Sequence, residues 1–323
     1  MYEPITKKRL IWAFIPLLAV AMSATAQAQT YPSKPIKIIV AFPPGSTTDI
    51  TARIVAQKLS ESLAQPVIIE NKPGAGGNLG AQNVARAAGD GYTLLATSVA
   101  FAVNQNFFKS PGYSSKDFKP VIKLGDTPNV FFANPATGVN TLKELVALSK
   151  TRNLNYASSG NGTTTHLSME DFKVRSGMAI QHVPFAPAAA VTAVIGGQVE
   201  VGSTSLPPTV QNILAGKIKG LATTGSRRSP ALPAVPTVVE LGYPDFEDYT
   251  WIAMFAPAAT PSAVVERLNA EINKLFENAE VKEKFASIGF DVQRNSSTEF
   301  SQSLQRDVEK YAKLVKELGI SAD

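Results

Sequence analysis

The sequence predicts an α/β protein of two lobes with a ligand cleft between them. Three observations carry that reading. From Pro35 onward, short β-branched runs alternate with amphipathic stretches of helical period, the pattern of parallel sheets covered by helices. The length of 323 residues is long for one domain and suits two of roughly 100–150 residues each. The strongest amphipathic stretches come last, after a second alternating unit has closed, and no third sheet follows for them to cover. The chain is therefore expected to cross back and complete the first lobe.

The elements follow in order. Residues 1–28 read as a cleaved export signal: Lys7-Lys8-Arg9 form a basic start, and 10–22 is an apolar run too short to span a bilayer comfortably. Small residues in Ala24-Thr25-Ala26 and Ala26-Gln27-Ala28 place cleavage after Ala26 or Ala28, and the expected location is the periplasm. Losing this segment lowers the net charge from +5 to +3. That leaves no basic stripe to follow a nucleic-acid backbone. Apolar residues at 44% and charged residues at 18% supply a core and show no disorder signature. Cysteine is absent, which excludes disulfides, thiolate nucleophiles and cysteine metal sites.

The first unit reads strand 36–42, helix 49–63, strand 67–70, helix 79–88 and strand 93–97. In the first helix Ile50, Ile54, Val55, Leu59 and Leu63 share one stripe. The second unit reads strand 130–133, helix 142–150, strand 154–157, helix 165–176, strand 180–183, helix 188–195, strand 199–203, helix 209–215 and strand 218–223. The stretch 230–244, PALPAVPTVVELGYP, holds too many prolines for a regular element and reads as an ordered connector. Val265, Leu268, Ile272 and Leu275 mark one late helix. Phe300, Leu304, Val308, Tyr311, Val315 and Leu318 mark the last.

The glycine cluster NKPGAGGNLG (71–80) follows a strand, as a dinucleotide-binding turn would. Its spacing Gly74, Gly76, Gly80 is one residue too long for G-x-G-x-x-G, and the next strand ends at Thr97-Ser98 with no carboxylate for a ribose. Positive-φ turns and close backbone approach explain the glycines instead. Catalytic constellations are missing too. His166 and His182 are the only histidines, with no H-E-x-x-H spacing, and no serine stands in G-x-S-x-G. No metal or cofactor is expected.

The loops after the strands stand out instead, since ligands of open α/β sheets bind outside the carboxyl ends of their strands. Those loops carry Pro44, Ser46, Thr47 and Asp49; then Thr97 and Ser98; then Ser159, Gly162, Thr163 and Thr165; then Phe185 and Ala188; then Thr204. They are rich in hydroxyls and glycine and contain neither lysine nor arginine. Hydroxyls with free N–H groups at helix N-termini hold a carboxylate without a formal cation. Each loop alone is explained by helix capping, and together they make a shared anion site. Asp49 is explained by capping and by an i,i+4 pair with Arg53.

The stretches FPPGSTTDITAR (42–53), QPVIIENKPGAGGNLG (65–80), DGYTLL (90–95), YASSGNGTTTHLSMEDF (156–172), IGGQVEV (195–201) and RRSPALPAVPTVVELG (227–242) resemble those of tripartite tricarboxylate transporter substrate-binding proteins, also called Bug receptors. The resemblance runs from Tyr31 to the C-terminus. It implies a type II periplasmic-binding-protein fold that closes on its ligand like a trap, with lobe one at 29–127 and 250–323 and lobe two at 128–249. It also implies a carboxylate held by Phe42, Pro44, Thr47 and Asp49 on one side and Ser159, Gly162, Thr163 and Thr165 on the other, with ordered waters helping.

The chain departs from the family pattern at Gly45-Ser46, where two glycines are usual, and at Ala186-Pro187, where a basic residue and glycine are usual. It departs again at Ser203-Thr204-Ser205, where many members carry an acid. An unadorned carboxylic acid with a less polar distal group is the expectation. The resemblance implies a non-enzymatic, monomeric receptor for a small di- or tricarboxylate or aromatic acid, served by a large and a small membrane subunit. Readout by a sensor kinase, and an exported hydrolase, are the alternatives.

Overall fold

A computed structural model describes residues 31–321, so the export segment read at 1–28 lies outside the described residues. Strands β1 (Ile36–Val40), β2 (Val67–Asn71) and β3 (Thr93–Ser98) pair in parallel in the order β2-β1-β3. The crossovers are α1 (Thr47–Leu63) and α2 (Asn78–Ala85), and α3 (Ala100–Phe107) follows β3. Ser46 caps α1 by accepting a hydrogen bond from Asp49 N at 3.2 Å.

Strand β4 (Phe118–Ala133) is 16 residues long. The sequence pattern gave only its end, because Pro120, Gly125, Asp126 and Pro128 read as breakers. Bulges absorb Pro120 and Gly125: the register against β9 (Tyr249–Pro257) shifts between Pro120 and Ile122 and again between Lys123 and Gly125. Pro128 closes the pairing opposite Tyr249. Strand β9 was missed altogether. It is buried along nearly its whole length, so it shows a continuous apolar run without alternation.

These two strands are antiparallel, and β9 also pairs antiparallel with β3. The first sheet is therefore mixed, not purely parallel, with order β2-β1-β3-β9-β4 and short β10 (Asp291–Val292) on the far side of β4. At Asn129, β4 passes into a second sheet with order β8-β4-β7-β5-β6. Its other strands are β5 (Asn155–Ser158), β6 (Gln181–Pro184), β7 (Val201–Ser205) and β8 (Lys219–Thr223).

Helices α4 (Leu142–Ser149), α5 (Thr164–Ser176), α6 (Pro187–Ile195) and α7 (Val210–Leu214) belong to this second half. The proline-rich connector forms no regular element and is pinned to β8 by hydrogen bonds Thr223 N to Pro236 O and Val238 N to Thr223 O, both 2.9 Å.

After β9 the chain is back on the first sheet, with α8 (Ser262–Leu275), α9 (Ala279–Ser287), unforeseen in the sequence, and α10 (Ser297–Leu318). The apolar stripe of α10 packs chiefly on α3 and β4. Phe101, Phe255 and Phe300 form the centre of that core, with ring centroids 4.5 Å apart for Phe101–Phe255 and 5.2 Å for Phe255–Phe300. A separate core surrounds Phe131, Tyr156 and Phe172 in the second half.

The glycine cluster turns tightly between β2 and α2. Gly80 shows why its residue type is restricted: a Cβ there would sit 2.7 Å from Ala41 Cα, so α2 lies directly on the β1 backbone. Gly80→Ala is expected to lower stability by about 1–3 kcal/mol through overpacking. It would be read as a lower urea midpoint with unchanged slope; an unchanged midpoint would contradict the packing argument.

Candidate functional site

The carboxyl end of β1 leads into α1 through a loop fixed from behind by Asp49. Its carboxylate accepts from Gly45 N (3.0 Å), Arg53 Nε (3.0 Å) and Asn71 Nδ2 (2.8 Å). Burial works to raise this carboxyl, but the bonds from Arg53, Asn71 and Gly45 outweigh it and hold it below the usual carboxylate range. Asn71 also donates to Phe42 O at 3.0 Å. Asp49 is thus a strut for the loop, and its acceptors are in use.

Opposite stands the loop from β5 to α5. Thr165 Oγ1 accepts from Ser159 N (3.0 Å) and meets Thr163 Oγ1 at 2.9 Å, while Thr163 Oγ1 donates to Gly160 O at 2.7 Å. Thr163 therefore spends its hydroxyl on the loop, and no side chain caps α5. Ser159 Oγ is buried and has no hydrogen-bond partner. Pro187 opens α6, which also lacks a side-chain cap.

The two loops meet around a cavity of about 30 Å³. The first-sheet half contributes Phe42, Ser46, Thr47, Thr48, Ser98 and Ile252, and the second-sheet half Ser159, Thr163, Thr164, Thr165, Pro187 and Ser205, with Thr250 at the crossing. None of these side chains is ionisable. Thr47 Oγ1 and Ser205 Oγ bridge the halves at 2.6 Å, and Thr164 bonds Thr250 hydroxyl to hydroxyl. A volume this small admits about two waters, so a larger ligand enters only when the halves part.

A groove of about 780 Å³ lies elsewhere, between Leu142, Ile213, Leu232 and the Pro233 to Pro236 segment. It is roomier and mostly apolar, and the helix start in it, at Thr141, is already occupied, since Thr141 Oγ1 accepts from Glu144 N at 3.2 Å. The small interlobe cavity is therefore the candidate site.

Seven of the residues read from sequence line this cavity: Phe42, Ser46, Thr47, Ser98, Ser159, Thr163 and Thr165. The other seven do not. Pro44 is exposed on the loop, and Asp49 faces Arg53 and Asn71. Thr97 is buried opposite Ala253, and Gly162 packs on Phe107. Phe185 joins the apolar cluster around Val191 and Val194, and Ala188 lies against Gly45. Thr204 is fully buried, and its neighbour Ser205 lines the cavity instead.

Sequence reasoning named the loops that hold Thr48, Thr164, Pro187 and Ser205 without singling those residues out, and it missed Thr250 and Ile252 altogether. Strand period could have found Ser205, because side chains two apart share a face. Ser203, also on that face, donates to Thr165 O at 2.6 Å.

Both histidines lie behind the α5 loop. Their rings stack at 4.1 Å, and His182 Nε2 meets Ser158 Oγ at 2.7 Å. Ser158 is fully buried and does not line the cavity. Burial lowers His166 to about 4; burial and then the neighbouring His166 lower His182 to about 3.

A histidine depressed in the folded state binds protons in the unfolded chain first, so its stabilising contribution is lost as pH falls from about 6.5 toward 4. The raised carboxyls of Asp126, Asp248 and Asp307 work in the opposite sense. The histidine contribution is therefore isolated by difference. His166→Gln is expected to flatten the fall in urea midpoint between pH 6.5 and 4, and parallel curves for both proteins would refute the assignment.

Comparison with known proteins follows the same lines. The family model described as "Tripartite tricarboxylate transporter family receptor" matches residues 51–320. The protein BugT of Bordetella pertussis is 36% identical over 304 residues, covering 92% of this chain and 93% of its own. The R. palustris protein Rpa4515, solved with adipate, superposes with a TM-score of 0.88 at 30% identity, covering 90% of this chain and 99% of its own. MatC of Rhodopseudomonas palustris, solved with bound malate, gives 0.82 at 30% identity, with coverages of 88% and 100%. The fold is thus that of the two-lobed periplasmic binding proteins, with the cleft between two α/β lobes. This chain belongs to the tripartite tricarboxylate transporter receptor family.

Proposed function

We propose that this chain is an exported, non-catalytic receptor that captures a small carboxylate between its lobes in the periplasm. It then presents the closed complex to a transporter made of a large and a small membrane subunit. The lobes divide near Thr127 and Tyr249, where β4 and β9 run from one sheet toward the other.

The observation that carries the reading is convergence. The starts of α1 and α5, neither helix bringing a cation, meet at one cavity with ten hydroxyl side chains, among them the unpartnered Ser159 Oγ. Helix N-termini attract negative charge, and their first amides have no partner inside the helix. A carboxylate has four lone-pair sites and no proton to donate, which matches a wall made of donors. The fully buried Ser158 and the absence of a carboxylate wall residue support binding over turnover.

A thermal-shift panel of mono-, di-, tri- and aromatic carboxylates, amino acids and nucleotides tests this on the protein lacking residues 1–28. One carboxylate class is expected to raise the melting temperature, since a ligand bound only to the native state stabilises it by mass action. A shift with nucleotides alone would overturn the reading. For the carboxylate that binds, Ser159→Ala is expected to weaken affinity about twofold to tenfold, the equivalent of roughly 0.5–1.5 kcal/mol for one hydrogen bond. An unaltered affinity by calorimetry would remove Ser159 from the site.

A further inference from the structure

The glycine cluster, the α3 helix and Gly162 meet at the rim of the cleft, outside the cavity wall. Gly162 has φ of +71°, and a Cβ there would lie 2.7 Å from Phe107 Cδ1 and 2.9 Å from Asn104 Oδ1. Phe107 and Asn104 belong to α3 in the first lobe, and Gly162 belongs to the β5–α5 loop of the second. The ring of Phe107 also meets His166 edge-on, with centroids 6.2 Å apart.

On the first-lobe side Asn104 ties the glycine cluster down: its Nδ2 donates to Gly76 O (3.0 Å) and to Asn78 Oδ1 (2.7 Å). Gly76 in turn approaches the second lobe, where a Cβ on it would sit 3.2 Å from Asn161 O.

We infer that Asn104 and Phe107 with Gly162 form a closure latch, and that they are positioning residues for ligand capture. None of the three lines the cavity. They act through the loop from Ser158 to Thr165, which carries Ser159, Thr163 and Thr165 in the cavity wall. That loop takes its closed position only if the second lobe's backbone can lie flat on the Phe107 ring, which needs a residue without a side chain. Gly76 lets the first lobe come nearly as close, at Asn161 O, so this one glycine of 71–80 serves a lobe–lobe contact, while Gly77 and Gly80 pack within the first lobe.

The latch is poised, not locked. Asn104 Oδ1 is buried without a hydrogen-bond partner, and parting the lobes returns that acceptor to water. Ring packing favours closure while the unpaired oxygen opposes it.

The proposal rests on the receptor reading for its purpose but is tested without a ligand. The chain has no cysteine, so Gln57→Cys on α1 and Lys143→Cys on α4, both exposed and one in each lobe, accept a single pair of spin labels. Pulsed electron-spin distance measurement on the ligand-free protein is expected to show a short-distance population.

Gly162→Ala should reduce that population at least threefold, because the new methyl meets the Phe107 ring. Phe107→Ala should reduce it too, and Phe107→Leu less. The double variant Gly162→Ala with Phe107→Ala should close no worse than either single variant, because the smaller residue 107 makes room for the methyl. That non-additivity is not expected of a merely structural role.

Two results would overturn the latch: no short-distance population in the unsubstituted protein, or an unchanged distribution in Gly162→Ala and Phe107→Leu, the variant that retains apolar bulk on α3. A carboxylate panel without a hit would sink the receptor reading and leave this measurement intact.

Discussion

Strand β4 passes from one sheet to the other at a single place, beside the start of β9, and the rest of the molecule depends on how that crossing is held. Beyond Pro128, where β4 stops pairing with β9, the same strand pairs with β7 and β8 from Asn129 onward. The crossing is fixed by buried polar bonds. Asn129 N donates to Thr224 Oγ1 (2.9 Å), Thr250 Oγ1 donates to Asn129 Oδ1 (2.9 Å), and Asn129 Nδ2 donates to Ser168 Oγ (3.0 Å). Asp248 gathers the outer end, accepting from Ser168 Oγ (2.5 Å) and Tyr311 OH (3.2 Å).

Burial raises the Asp248 carboxyl above the usual range despite Lys310, Ser168 and Tyr311. Such a network is strong when complete and costly when broken. Because Thr164 bonds Thr250, the network reaches the cavity wall itself. Tyr311 carries it to α10, so the last helix of the chain braces the crossing from behind.

The chemistry of the cleft follows from what this frame leaves for a ligand. Asp49 and Arg53, the charged pair behind the β1 loop, are spent on each other and on holding that loop. The wall is left with hydroxyls, two helix starts and three apolar side chains. A neutral wall of fixed dipoles pays no desolvation of its own charges when water leaves, and it is pre-oriented before the ligand arrives. Closure then matters more than any single contact, since exclusion of water strengthens every bond inside.

Much of this was legible in the residues. The alternating units, the long stripe on α10 and the return of the chain to the first sheet followed from periodicity, because each reflects local burial on one face. The hydroxyl-rich loops at the strand ends pointed to the candidate site, although only Ser46 among them caps its helix through a side chain.

What could not be read was non-local. Strand β4 hides behind Pro120 and Gly125, which only its bulges explain, and behind Pro128. Thr250 and Ile252 enter the site through β9, whose burial on both faces erases the alternation that marks a strand. Asp49 and Gly162 matched the family's motif, yet one is a strut and the other a lobe contact, because a motif records which residues matter and not what each one touches.

The most direct test of the account is amide-resolved nuclear magnetic resonance of the isotopically labelled protein during titration with its carboxylate. If helix starts and hydroxyls hold the ligand, the largest downfield amide shifts fall on Thr47 and Thr48 at α1 and on Thr164 and Thr165 at α5, in one saturable step. If the largest shifts fall instead in 71–80 or along the groove beside Pro233 to Pro236, with those four amides still, the ligand binds elsewhere and the central claim fails.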